Sequence, residues 1–228
     1  FDSATELDKN TAVGYSTLSA MSGSAGDALN TAVGYIAGTA VTTGTHNTIV
    51  GANSGNTINT GQYNTIMGAE TAISMQGGSY NNIIGRRAGY GLTSGNYNAV
   101  LGTFALYSNQ TGFGNVAMGS HAGYSMVGSG GIFLGYEAGR GVSSADVVFI
   151  GYQSGKRAYG TGNTAMGYGS LYGADSTAAN NTGTNNTAIG QHALKWFSKT
   201  IGSTAVGAEA GYYTTGSYNT FMGHKAGH

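Results

Sequence analysis

No cysteine and no proline occur in this chain of 228 residues, and only 8% of its residues are charged. Without cysteine there is no disulfide framework, and the stacking of repeats has to supply what cross-links would. A chain of this length ordinarily carries about ten prolines. Proline lacks the backbone donor that a sheet ladder needs, so its absence fits a backbone that pairs with itself from coil to coil. Nine Lys and Arg balance nine Asp and Glu, which speaks against a nucleic-acid partner, because neutralising phosphates takes a basic surface. No apolar run approaches the roughly 18 residues of a spanning helix, so membrane insertion is not expected. Phe1–Glu6 read neither as a signal peptide nor as a spanning segment, and with no initiating Met the chain reads as a piece of something longer.

Glycine is abundant, with 42 residues, and a short phrase, usually Asn-Thr-small/apolar-large apolar-Gly, returns thirteen times. Its glycines are Gly14, Gly34, Gly51, Gly68, Gly85, Gly102, Gly119, Gly135, Gly151, Gly167, Gly190, Gly207 and Gly223. Most are 16 or 17 residues apart. So short a segment cannot bury a core alone and must lean on its neighbours. The expected fold is therefore all-β, a repetitive parallel β-roll (β-solenoid) of about 13 coils, with residues 1–9 as a lead-in and 10–228 as a single repeat domain.

Positions are counted from each anchor glycine. Minus one is always a large aliphatic or Met, as in Val13, Ile84 and Met166, and minus three is mostly Thr. These two share one face of a strand. Minus two, on the other face, is also always apolar, from Ala12 to Phe221. A sheet apolar on both faces is usually covered on both. Taking minus one and minus three as the coil interior leaves minus two uncovered, so copies of the chain are expected to associate through Phe133, Phe149, Phe221, Ile49, Ile66 and Ile83. The alternative is a monomeric coil whose interior holds both sets. Plus three is always small, which means that two backbones approach closely there. A second glycine recurs at minus seven, so one coil reads as a strand, a corner, a short second strand and a turn. Length varies only between plus four and minus seven, with insertions at 19–26 and 172–182 that must project outward.

The phrase Asn30 to Gly38, with its echoes at Asn163 and Asn186, resembles the head repeats of YadA-like trimeric autotransporter adhesins and the similar repeats of bacteriophage tail fibres. That resemblance implies a homotrimer of parallel β-rolls along a common axis, outside the cell, with surface attachment as its work. The coils are longer than the usual adhesin head repeat, and no heptad stalk or membrane-anchor barrel follows, which favours the tail fibre. The expected function is an extracellular fibre segment, shaft or receptor-binding region, of a phage or phage-like particle. An adhesin head is one alternative and an ice-binding solenoid is another. Against ice binding, the Thr at minus three should be buried with minus one.

No carboxylate pair has the spacing of a hydrolytic site. Glu70 and Glu137, both at plus two, are four coils apart, roughly 19 Å at about 4.8 Å per coil, against about 5–9.5 Å for glycosidase pairs. Five scattered histidines give no metal-ligand spacing, and His121 and Glu137 read as a surface contact between adjacent coils. No enzyme activity, cofactor or metal is expected. Tyrosines recur at plus five (Tyr90, Tyr107, Tyr124, Tyr172, Tyr212) and at minus five (Tyr63, Tyr80, Tyr97, Tyr218), so they should form ladders able to cover turns or meet sugar rings. The expected contact with a cell-surface glycan or outer-membrane receptor is Tyr172, Asn180, Asn181, Lys195, Trp196 and Lys199, because Trp196 at plus six lies one coil along from Tyr172.

Overall fold

The computed structural model describes residues 9–22, 28–173 and 181–228. Among them are thirteen strands of three residues each and no helix. The chain divides into two compact units, Phe1–Asn115 and Val116–His228. The first holds β1 (Thr11–Val13), β2 (Thr31–Val33), β3 (Thr48–Val50), β4 (Thr65–Met67), β5 (Asn82–Ile84) and β6 (Ala99–Leu101). The second holds β7 (Val116–Met118), β8 (Ile132–Leu134), β9 (Val148–Ile150), β10 (Thr164–Met166), β11 (Thr187–Ile189), β12 (Thr204–Val206) and β13 (Thr220–Met222). Within each unit, successive strands pair in parallel, and equivalent repeat positions face one another: Ile49 lies on Ile66 and Ile66 on Ile83, Phe133 on Phe149 and Phe149 on Ala165. Each unit is a parallel β-solenoid.

The expected second strand is replaced by a corner path. In all thirteen coils the residues at plus two, plus four and minus five have left-handed φ, as at Glu70 (54°), Ala72 (49°) and Tyr63 (55°). Such residues reverse the chain's course while leaving N–H and C=O groups pointing along the stack. The backbone therefore keeps pairing around the corners. Glu70 N–H donates to Ala52 O in the coil before (2.9 Å), and Ala72 N–H to Ala88 O in the coil after (3.0 Å). The anchor glycines have φ between 113° and 143°, which side-chain-bearing residues rarely adopt. A Cβ on Gly85 would also lie 2.6 Å from the Gly102 carbonyl oxygen.

The interior is lined by minus two, plus three, plus four and plus seven. At minus two, Ile49, Ile66, Ile83, Phe133 and Phe149 are 0% exposed. This reverses the expected orientation. The residues assigned to a trimer contact fill their own coil, and the Phe221 ring likewise turns inward over Gly227. The small residues at plus three, such as Ala88 and Ala138, are buried as expected. Plus seven contributes Ile58, Met75 and Leu92 in the first unit and Met126, Val142 and Phe197 in the second, all fully buried.

No coil carries Phe at minus two together with Leu at plus four. Where minus two is Phe, plus four is Gly: Phe133 with Gly139, Phe149 with Gly155, Phe221 with Gly227. Where plus four is Leu, as in Leu171 and Leu194, minus two is Ala165 or Ala188. Close-packed interiors require that complementarity.

The asparagine of the repeated phrase, at minus four, runs as a buried ladder. In the first unit Asn30, Asn47, Asn64, Asn81, Asn98 and Asn115 are at most 1% exposed. Each of Asn47, Asn64, Asn81 and Asn98 donates from its backbone N–H and its Nδ2 to the Oδ1 of the asparagine before it, at 2.9–3.1 Å. Their Nδ2 groups also donate to a turn carbonyl one coil on, as from Asn81 to Gly95 O (2.9 Å). Gly131 and Val147 take this position in the coils of Phe133 and Phe149, where the interior is more apolar.

Candidate functional site

With minus two inside, the outer strand face carries minus one and minus three. Leu101 is 45% exposed and Met118 43%, and Val13, Val33, Met67, Ile84, Met166, Ile189 and Met222 are also exposed. Beside this aliphatic row runs the minus-three row, where Thr11, Thr48 and Thr220 are exposed and Thr31, Thr65, Thr164, Thr187 and Thr204 half-buried. The expectation that these threonines are buried is thus reversed as well. No other described segment covers the aliphatic row, since nine of its members are exposed and Val50, Leu134, Ile150 and Val206 half-buried within the chain itself.

Stacked aromatic ladders form at both expected positions. At minus five, His46, Tyr63, Tyr80 and Tyr97 follow one another at centroid spacings of 4.5, 5.0 and 5.1 Å, with near-parallel planes. At plus five, Tyr90 stacks on Tyr107 at 4.9 Å. A third ladder, not anticipated, lies at plus one: Tyr15 on Tyr35, and Tyr136, Tyr152 and Tyr168 in the second unit. In a face-to-face ladder the ring faces are occupied by one another, so ligands meet mainly edges and hydroxyls. Sugar stacking needs a free face.

The plus-five column of the second unit is different. It reads Tyr124, Arg140, Lys156, Tyr172, Lys195, Tyr212, His228. Cations are interspersed with rings: the Arg140 guanidinium lies 5.7 Å from the Tyr124 centroid and Lys156 Nζ 5.7 Å from Tyr172. Lys195 Nζ lies between three rings, 5.9 Å from Tyr172, 5.1 Å from Trp196 and 5.6 Å from Tyr212. Trp196 meets Tyr172 edge to face at 5.3 Å and donates Nε1–H to the Tyr212 hydroxyl at 3.2 Å. The backbone fixes this arrangement, because Trp196 N–H donates to Tyr172 O (2.8 Å) and Gly173 bridges Phe197. No protein-family model, curated protein or solved structure matches the chain.

Of the six residues expected to form a receptor contact, the structure brings together Tyr172, Lys195 and Trp196. Lys199 is exposed and stands apart from the cluster. Asn181 is fully buried, its carbonyl accepting the Tyr159 N–H at 2.8 Å, so it is not a surface contact. Asn180 lies outside the described residues. Tyr212 and Lys156 complete the cluster, and a reading of the plus-five column for cations as well as tyrosines finds both.

Glu137 is the other departure. Expected on the surface at plus two, it is 4% exposed. It accepts from Lys156 Nζ (2.6 Å), Gln153 Nε2 (2.8 Å) and Arg140. Burial alone pushes its carboxyl up, but the three donors outweigh that and hold it at about 2, below its ordinary 4.5. A lowered folded-state value means that this group's stabilisation is complete above pH 4.5 and lost as pH falls towards 2. The loss should be on the order of 3 kcal/mol. Urea midpoints of the wild type should fall across that window, whereas Glu137→Gln should start lower at pH 7 and vary less. His121 and His192 are held below the usual imidazole range, first by burial and then by the charges of Arg140 and Lys195 respectively.

Proposed function

We propose that the chain is a segment of an extracellular attachment fibre, the tail-fibre shaft or receptor-binding region of a phage or phage-like particle, in which three copies associate through their outer strand faces. The observation that carries this reading is the row of aliphatic side chains at minus one. Contiguous exposed apolar surface is unfavourable in water, and the same row on identical chains around an axis parallel to the stack covers it. The number three comes from the resemblance of the repeats. Sedimentation should give three times the 23.0 kDa chain mass. Ile84→Lys with Leu101→Lys should keep the β-type circular dichroism, because both side chains are exposed within the chain. In the trimer each lysine would be an unpaired buried charge, costing several kcal/mol, so the variant should sediment as a folded monomer. A wild-type chain that is monomeric at micromolar concentration sinks the proposal.

The outward threonine row favours a second reading, ice binding. Both readings use the same face, so they exclude one another. A monomer with thermal hysteresis supports ice binding, and a trimer without it supports the fibre.

A further inference from the structure

We propose that the plus-five column of the second unit binds an acidic saccharide, with the Lys195 ammonium on its carboxylate or sulfate and Tyr172, Trp196 and Tyr212 around the sugar. The proposal rests on the attachment reading and names the ligand class for it.

Charge distribution points to the second unit. Residues 1–115 carry three Lys and Arg against five Asp and Glu, and residues 116–228 carry six against four. In the first unit the plus-five column is Ser19, Thr39, Asn56, Ile73, Tyr90 and Tyr107, with no cation. In the second unit three of seven positions are cationic.

Those cations are not equivalent. Arg140 and Lys156 both pair with Glu137, and Lys225, outside the column, pairs with Glu209 at 3.8 Å. Among the described residues no carboxylate pairs with Lys195. Its ammonium is instead held by three ring contacts within 6 Å. Ring quadrupoles orient a cation without neutralising it, so the charge remains available to an anion, and its long side chain is already ordered.

The rings supply the second half of the recognition. Trp196 and Tyr172 meet edge to face, and Tyr213, 63% exposed, meets Tyr212 in the same manner. Unlike the stacked ladders, these rings are not layered face on face, and the C–H groups of a pyranose would meet the ring faces turned away from Lys195. The Tyr212 hydroxyl, which accepts from Trp196, still has its own proton to donate. An anion bound only by charge would need none of these rings. A neutral sugar would have no use for the unpaired lysine.

The test is calorimetric titration of the full chain with four probes: an oligogalacturonide, a sulfated dextran, neutral dextran and polyglutamate. Binding of either acidic saccharide, with neither control bound comparably, supports the proposal, and the tighter of the two names the acid group. Lys195→Met and Trp196→Ala should each weaken that binding at least about tenfold, and Lys195→Arg should retain it, with circular dichroism unchanged throughout. Equal binding of polyglutamate, binding unaltered by Lys195→Met, or no binding of either acidic saccharide overturns it. Sedimentation of the same samples separates this proposal from the fibre: a trimer without binding ends only the saccharide site, and a monomer that binds ends only the trimer.

Discussion

Gly155→Leu should unfold the chain under conditions in which the wild type is stable, and adding Phe149→Ala should restore most of what was lost. A Cβ on Gly155 would overlap the Phe149 ring, and a whole leucine has nowhere to go in a closed coil. Overpacking of that kind costs about 3 kcal/mol or more. Phe149→Ala alone should cost about 3–5 kcal/mol through the cavity it leaves. Together they reproduce the pairing of Ala165 with Leu171 and of Ala188 with Leu194. Leucine tolerates the left-handed backbone there, as at Leu171 (49°) and Leu194 (47°), for about 1–2 kcal/mol. The double variant should therefore lie within about 2 kcal/mol of wild type, a coupling of several kcal/mol between the two sites. Urea unfolding followed by circular dichroism measures all four corners of this cycle. Additive losses would mean that Phe149 and Gly155 do not share one volume.

The same pair explains why the strand was legible in the sequence and its orientation was not. The phrase ending at Gly151 places a three-residue strand at Val148–Ile150, and one is found there. Alternation then offers two faces, both apolar, and hydrophobicity cannot tell them apart. The larger, more uniform side chains at minus one look like core. What distinguishes the true interior is variation that compensates: every Phe at minus two meets Gly at plus four, and every Leu at plus four meets Ala or Val at minus two. Only positions sharing a closed volume need that exchange. Uniform aliphatics at minus one carry no such constraint, in keeping with their exposure.

Corners were less legible. Left-handed φ at plus two is met by Glu70, Arg87, Phe104 and Gln153, residues with no intrinsic preference for it, because pairing with adjacent coils overrides local propensity. The expected second strand failed for this reason. Glu137 was misplaced for a related one: its column is polar, but its donors Lys156 and Arg140 come from plus five, a column read only for its tyrosines. Trp196 and Tyr172, by contrast, were brought together by counting alone, since plus six and plus five in adjacent coils must lie side by side.

Asn81 should be the least replaceable polar residue of the first unit, although its side chain touches no solvent. Its Oδ1 accepts the Asn98 backbone N–H and Nδ2 at 3.0 Å each, and its Nδ2 donates to Asn64 Oδ1 (3.1 Å) and Gly95 O (2.9 Å). Asn81→Ala orphans the Asn98 N–H and weakens three other buried groups. At about 1–3 kcal/mol for an unsatisfied buried group, the total should reach about 3–6 kcal/mol. The adjacent Asn82, exposed at minus three, provides the control, and Asn82→Ala should change stability by less than about 0.5 kcal/mol. Ser203 shows that the column accepts a residue that still offers an acceptor, since its hydroxyl takes the Asn219 N–H at 3.1 Å; a lone alanine between Asn64 and Asn98 offers none. Because each coil leans mainly on its nearest neighbours, the damage should begin locally. Amide exchange should quicken first at Asn98, whose N–H has lost its acceptor, before the coils of Asn30 and Asn47 are affected. Uniform protection across those coils at a lowered midpoint would mean that the ladder acts on the unit as a whole and not from coil to coil.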